Sequence, residues 1–198
     1  MEAAAAIREL ARISKDELNR LDGVQGDGDL GITVELIAEA VYQAAQESRD
    51  FKTWLTMSGL LVRRKAPSTI GGLISFALTA AGRSLPEGAQ PTPGTLVEIQ
   101  RQMIEEIRKR GVADRGDRTV LDAFIPAFEA YRDCALTGET TRLALEKVIE
   151  AALEGAQSTR NLIPRTGRAS WIGERAIGEV DGGAWLCYKV YQTLCGLA

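Results

Sequence analysis

Apolar residues recur at steps of three and four along almost the whole chain, and no stretch shows the apolar–polar alternation of a half-buried strand. In residues 95–110, Leu96, Ile99, Met103 and Ile107 form one face, while Glu105, Glu106, Arg108 and Lys109 fall elsewhere. Residues 140–162 repeat the pattern with Leu145, Val148, Ile149, Ala152, Leu153 and Ala156, and the C-terminal segment with Trp185, Tyr188, Tyr191 and Leu194. The period predicts an all-α chain with helices over 2–13, 15–21, 32–48, 52–65, 70–84, 95–110, 118–135, 140–162 and 182–196. Ser14-Lys15-Asp16-Glu17 fits a capping box and is expected to open the second of these. At 198 residues, 45% of them hydrophobic, the chain can bury one sizeable core, so residues 1–198 are read as a single domain. A compact antiparallel bundle of about eight helices, with glycine-rich loops at one end, satisfies these constraints.

Composition then narrows the chemistry. The formal charge of −3 comes from interspersed residues of both signs, with no basic stripe for nucleic-acid phosphates or an anionic membrane. The first residues, MEAAAAIRELARI, carry charges among the alanines instead of the basic start and apolar centre of a secretion signal. No apolar run reaches membrane-spanning length, so neither a membrane nor nucleic acid is an expected partner, and a cytoplasmic protein is expected. Cys134, Cys187 and Cys195 lack CxxC spacing and read as buried or free thiols. There is no histidine. That removes Ser-His-Asp and Cys-His catalysis and histidine-bearing zinc sites, and leaves acid–base work to carboxylates or to a partner.

The segment LDGVQGDGDLG at 21–31 places Asp22, Asp27 and Asp29 on a glycine-rich turn directly before a helix. GDGDLG matches G-x-G-x-x-G formally, but the preceding KDELNRLD is polar and helical, and aspartates would repel a pyrophosphate. As an EF-hand loop it lacks a third side-chain oxygen at Gly31 and has Ala38 where the closing glutamate belongs. The D-x-D of aspartyl-phosphate hydrolases follows a buried apolar strand, which Gly23-Val24-Gln25-Gly26 is not. Two readings remain. Three close carboxylates suit an all-oxygen cation such as magnesium or calcium, with the free N–H groups of the next helix turned to a phosphate. Alternatively, they cap helices and fill turns.

Other loops bear on that choice. APSTIGG at 66–72 puts Ser68 and Thr69 before a helix, and GRASWIGERAIG at 167–178 sets Arg168 and Arg175 among glycines. Asp181-Gly182-Gly183 opens the last helix. All are compatible with phosphate binding.

LDGVQGDGDLG resembles the LDAxxGDGDxG signature of the nucleotide-binding L subunit of bacterial dihydroxyacetone kinases and of the matching domain of their single-chain relatives. The resemblance extends weakly through APSTIGGL, then through GDRTVLDAFIPA at 116–127 (GDKTxxDAxxPA) and GRASWIGERAIGEVDGGA at 167–184 (GRASYLGERSxGxxDPGA), in the same order and spacing.

The resemblance implies a closed barrel of eight antiparallel helices with nucleotide at one end. It implies that Asp22, Asp27 and Asp29 hold two Mg2+ bridging the phosphates of ATP or of tightly bound ADP. Phosphate contacts carry over to Leu30, Gly31, Ile32 and Thr33, and nucleotide contacts to Thr69, Ile70, Gly111 and Val120. Arg168, Asp181 and Gly182 complete the pocket. The activity implied is that of a kinase subunit, active only with a K-type subunit that holds the ketose on its own histidine. A phosphotransferase-system M subunit is a second partner in part of the family, and a homodimer is compatible with the sequence. The chain departs from the pattern at Leu30, where the family usually has histidine, at Pro67-Ser68-Thr69-Ile70-Gly71, where it has GGASG, and at DGG in place of DPG. These departures keep a second expectation open, a nucleotide-binding regulatory or interaction protein of the same fold without turnover.

Overall fold

The computed structural model describes residues 1–24, 26–138 and 142–197, with the backbone alone at Arg168 and Ala169. Eight α-helices succeed one another: α1 (Glu2–Gly23), α2 (Leu30–Glu47), α3 (Phe51–Lys65), α4 (Thr69–Ser84), α5 (Pro93–Gly111), α6 (Leu121–Thr137), α7 (Arg142–Ser158) and α8 (Gly182–Cys195). Single 3-10 turns at Thr159–Asn161, Arg168–Trp171 and Gly173–Ala176 precede α8, and no strand occurs among the described residues. Each helix packs on its neighbours in the chain, and α8 returns to α1 and closes the ring. Among the described residues, no helix is long and apolar enough to cross a membrane.

Helix α1 corrects one expectation. It runs unbroken through the Ser14-Lys15-Asp16-Glu17 box. Ala4, Ile7, Ala11, Ser14, Leu18 and Leu21 form a single inward stripe at alternating steps of three and four, with Ser14 buried in its place. A serine cap is worth about 1 kcal/mol. Burying Leu18 and Leu21, each 2% exposed or less, is worth about 2 kcal/mol apiece and requires the helical register to persist.

Other boundaries also have local causes. α6 starts at Leu121 rather than 118 because Arg118 adopts φ 60°, outside the right-handed helical region. α7 ends at Ser158, and its expected last turn tightens into the 3-10 turn Thr159–Asn161. α6 and α7 approach so closely that a Cβ at Gly155 would lie 2.2 Å from the Asp122 carbonyl oxygen.

In an up-and-down ring, the connections after α1, α3, α5 and α7 share one end. These are the loops at 24–29, 66–68, 112–120 and 159–181, which carry the aspartate turn and the other motifs singled out in the sequence. The fold therefore brings together segments that the sequence spreads over 160 residues.

Candidate metal and phosphate site

The aspartate turn is built by α1. Asp22, in its last turn, accepts hydrogen bonds at Oδ2 from the Gly28 and Asp29 N–H groups (2.8 and 3.1 Å), and its carbonyl accepts from Gly26 (2.5 Å). Gly28 at φ 76° supplies the left-handed step that folds the turn back on Asp22. Ligand oxygens of Asp22, Asp27 and Asp29 then lie within 4.8 Å of one another, with Asp22 partly buried and the other two exposed. Asp29 occupies the N-cap position of α2 yet makes no capping bond with its side chain. Asp50, Ser68, Thr92 and Asp181 do cap the helices they precede. Three converging carboxylates, one of them on a cap position it does not use, fit an oxygen-ligated divalent cation better than a turn-filling role.

The cap of α2 comes from a residue that local sequence gave no reason to single out. Asn19 Oδ1 accepts from Gly31 N (2.7 Å) and Ile32 N (3.3 Å), and Thr33 N donates to the Asp29 carbonyl (3.0 Å). The expectation of free N–H groups there for a phosphate is therefore not met at Gly31, Ile32 or Thr33. Asparagine is a good capping residue, but Asn19 stands twelve positions before Gly31, beyond the reach of a capping pattern.

A cavity of about 580 Å3 opens beside the turn, lined by Asp27, Asp29, Arg63, Ala66, Pro67, Ser68, Thr69 and Gly72. Ser68 Oγ and its carbonyl accept from Gly71 and Gly72. The first two N–H groups of α4, on Thr69 and Ile70, have no acceptor among the described residues. The start of α4 thus leaves two N–H groups for an anion, whereas that of α2 leaves the one on Leu30.

The remaining expected residues are placed as follows. Thr69 lines the cavity, whereas the Ile70 side chain packs into the core between α1, α2 and α3. Thr33 is buried, Ile32 is exposed, and Gly31 lies against α1. Gly111 ends α5 and Val120 precedes α6, on the neighbouring connection. The Arg168 side chain lies outside the described residues; its backbone opens a 3-10 turn. Arg175 is exposed.

Leu30 is 8% exposed and packs with Ala11, Leu18, Val34, Ala38 and Leu186. A Cβ at Gly182 would meet Leu30 Cδ2 at 2.6 Å. Two of the departures from the resembled pattern, leucine for histidine and DGG for DPG, thus lie in contact: a side chain at 182 would displace the end of Leu30.

A buried polar brace holds the neighbouring loops. Asp122 accepts from Gly116 N (2.6 Å) and Thr119 N (2.7 Å), and Arg118 donates to the carbonyls of Leu162 and Glu179 (2.9 Å each). Both side chains are at most 3% exposed. The conspicuous residues of GDRTVLD therefore tie the 112–120 loop to the 159–181 segment. Arg20 and Glu179, 3.7 Å apart, pin that segment to α1.

Asp181 caps α8 through Ala184 N (2.8 Å), and burial pushes its carboxyl up from 3.8 to about 6 against the pull of the Ala184 N–H and the Arg118 guanidinium. A carboxyl that binds its proton more tightly in the folded state stabilises fully below its unfolded pKa, and that contribution is lost as pH rises towards 6. Asp181→Asn keeps the cap and removes the titration. Urea midpoints of variant and parent are expected to shift progressively in favour of the variant between about pH 4 and pH 6; a constant difference would contradict this. The cysteines are free, and burial pushes Cys187 up to about 12 and Cys195 to about 11, so both remain thiols at neutral pH.

The DAK2 domain family model matches residues 24–196. The L-erythrulose kinase of Pectobacterium atrosepticum is 31% identical over 189 residues, covering 92% of this chain and 32% of the relative. The ADP-binding subunit DhaL of PEP-dependent dihydroxyacetone kinase 2 of Listeria innocua is 31% identical over 183 residues, 89% of this chain and 84% of that one. The chain thus spans about a third of the first relative and most of the second. Dihydroxyacetone kinase of C. freundii has a similar fold over 99% of this chain and about a third of its own, at 25% identity. The TM-score is 0.77 for its native form and 0.73 for its complex with AMP-PNP and Mg2+. The match over most of its length shows that the chain belongs to the DAK2-domain family.

Proposed function

We propose that this chain is the Mg-nucleotide-binding subunit of a dihydroxyacetone-type ketose kinase, presenting a phosphoryl group to a ketose held by a separate K-type subunit. The observation that carries the reading is the convergence of Asp22, Asp27 and Asp29 oxygens within 4.8 Å, with Asp27 and Asp29 lining a cavity that the open start of α4 also borders. The names of the relatives, erythrulose kinase and ADP-binding subunit, and the AMP-PNP and Mg2+ complex of a structural neighbour support it.

Asp22, Asp27 and Asp29 would hold two Mg2+, which would supply the charge neutralisation that the nucleotide's phosphates need. The Thr69 and Ile70 N–H groups and the Thr69 hydroxyl orient phosphate oxygens beside them. No residue of this chain is required as an acid or base, because phosphoryl transfer needs positioning and charge stabilisation above all. That accords with a chain lacking histidine and leaves the acceptor hydroxyl to the partner. Trp171, 86% exposed on the segment beside the site, offers a large apolar contact for such a partner. The nucleotide is either ATP, consumed at each turnover, or ADP, retained and recharged through a phosphotransferase-system M subunit. The proposed location is the cytoplasm.

The test mixes this chain, Mg-ATP, a K-type subunit and dihydroxyacetone or erythrulose. Phosphate is expected on the ketose only when all four are present, and not with Asp27→Ala. Mg-nucleotide binding without transfer under every partner combination would favour the regulatory reading. No magnesium-dependent nucleotide binding at all would sink both. Retention of ADP through gel filtration identifies the recharged-coenzyme mode.

A further inference from the structure

We propose that Arg63 is a phosphate-binding residue of this cavity, contributing the cationic wall that faces a nucleotide's phosphates alongside the start of α4. The inference rests on the nucleotide reading above. Arg63 lies in the last turn of α3 and lines the same cavity as Asp27, Asp29, Ser68 and Thr69. Several exposed arginines, among them Arg12, Arg101, Arg108 and Arg110, sit against carboxylates. Among the described residues, Arg63 makes no ion pair, and its guanidinium lies over the Phe76 ring, 5.3 Å from the centroid.

That contact leaves its N–H donors uncommitted. Stacking on an aromatic ring fixes the plane of a guanidinium without using its hydrogen-bonding fork, which matches the oxygens of a phosphate. The ring is itself held from the other neighbouring helix: Arg110 of α5 lies 3.5 Å from its centroid and is fixed by Glu106 (2.8 Å). Phe76 is thus a braced platform under a cation at the rim of the cavity. The charge pattern is also that of a metal–phosphate site, in which carboxylates take the cation while a guanidinium and helix N–H groups take the anion.

The experiment measures Mg-ATP and Mg-ADP affinity by calorimetry for the full chain, Arg63→Gln, Arg63→Lys and Arg64→Gln, with ligand-free melting of each. Arg64 is exposed on the same helix and does not line the cavity. Arg63→Gln is expected to weaken both nucleotides by about 10- to 100-fold with little change in melting, as for loss of a charge-assisted bond. Arg63→Lys should recover part of the loss, and Arg64→Gln should match the parent. Arg63→Gln binding within about twofold of the parent, while the parent binds in a magnesium-dependent way, would overturn the role of Arg63 and leave the nucleotide reading standing. A fall in affinity matched by a fall in melting, both fully restored by lysine, would also overturn it, marking a structural contact with Phe76. A parent chain that binds no Mg-nucleotide removes both proposals.

Discussion

Asp29→Ala is expected to abolish magnesium-dependent nucleotide binding while leaving α2 capped and the ligand-free chain folded. The two halves of this result follow from one geometry. Asp29 sits at the N-cap of α2 but does not cap it, since Asn19 Oδ1 takes the Gly31 and Ile32 N–H groups. Alanine therefore costs no cap. It also removes one of three negative charges whose oxygens lie within 4.8 Å of one another, and like charges so close repel unless a cation lies among them. With the cation, the same carboxylate is a ligand. Losing a residue that merely orients a ligand typically costs about 10- to 100-fold in metal affinity, so losing the ligand itself should cost about a hundredfold or more. The measurement is thermal melting with and without Mg-ATP. The parent should gain stability with the ligand, whereas Asp29→Ala should still melt cooperatively without ligand and show no gain. A variant that melts well below the parent without ligand, yet still responds to Mg-ATP, would identify Asp29 as structural.

Gly31→Ala should be a strongly damaging single-methyl change at this end of the molecule. An added Cβ would lie 2.1 Å from the Lys15 carbonyl oxygen and 2.8 Å from Asn19 Oδ1. The first is backbone of α1 and cannot rotate away, and the second is the cap of α2, so α1 and α2 must separate or the cap must break. Replacing a helical glycine by alanine would otherwise gain about 1 kcal/mol of propensity. Forced overpacking costs about 1–3 kcal/mol and cap loss about 1 kcal/mol more, so after the propensity gain a net loss of about 1–3 kcal/mol is expected. Gly72→Ala is the control. Gly72 is also helical and lines the cavity, but nothing lies within 4 Å of its Cβ position, so alanine should be neutral or stabilising by up to about 1 kcal/mol. Urea unfolding of both variants checks the contrast, and equal stability of the two would refute the packing argument. Gly31 was expected from the resemblance as a phosphate contact; its N–H is taken by Asn19, and its close approach to Lys15 gives it a packing role.

The helices were legible because their signal is local. A stripe at three- and four-residue steps needs only neighbouring turns to be seen, and the eight helices fall where such stripes lie. Their boundaries were less legible. The Ser14 box is a genuine local preference, but the burial of Leu18 and Leu21 outweighs it, and burial depends on α2 and α8. Arg118 gave no sign of its positive φ, which ends the expected helix and lets its guanidinium reach the carbonyls of Leu162 and Glu179.

By itself, the sequence determined that the chain is helical, that it carries three aspartates on one tight turn, and that histidine chemistry is closed to it. These follow from residue identity and short spacing. Tertiary structure decided which groups those aspartates meet. Closing the ring placed Arg63 and the start of α4 beside them, set Asn19 as the cap of α2, and put Leu30 into the space left by Gly182. Each of these contacts joins residues on different helices, from 12 positions apart for Asn19 and Gly31 to about 150 for Leu30 and Gly182. No periodicity reports such pairings, because what sets them is the volume left when eight amphipathic faces are packed against one another.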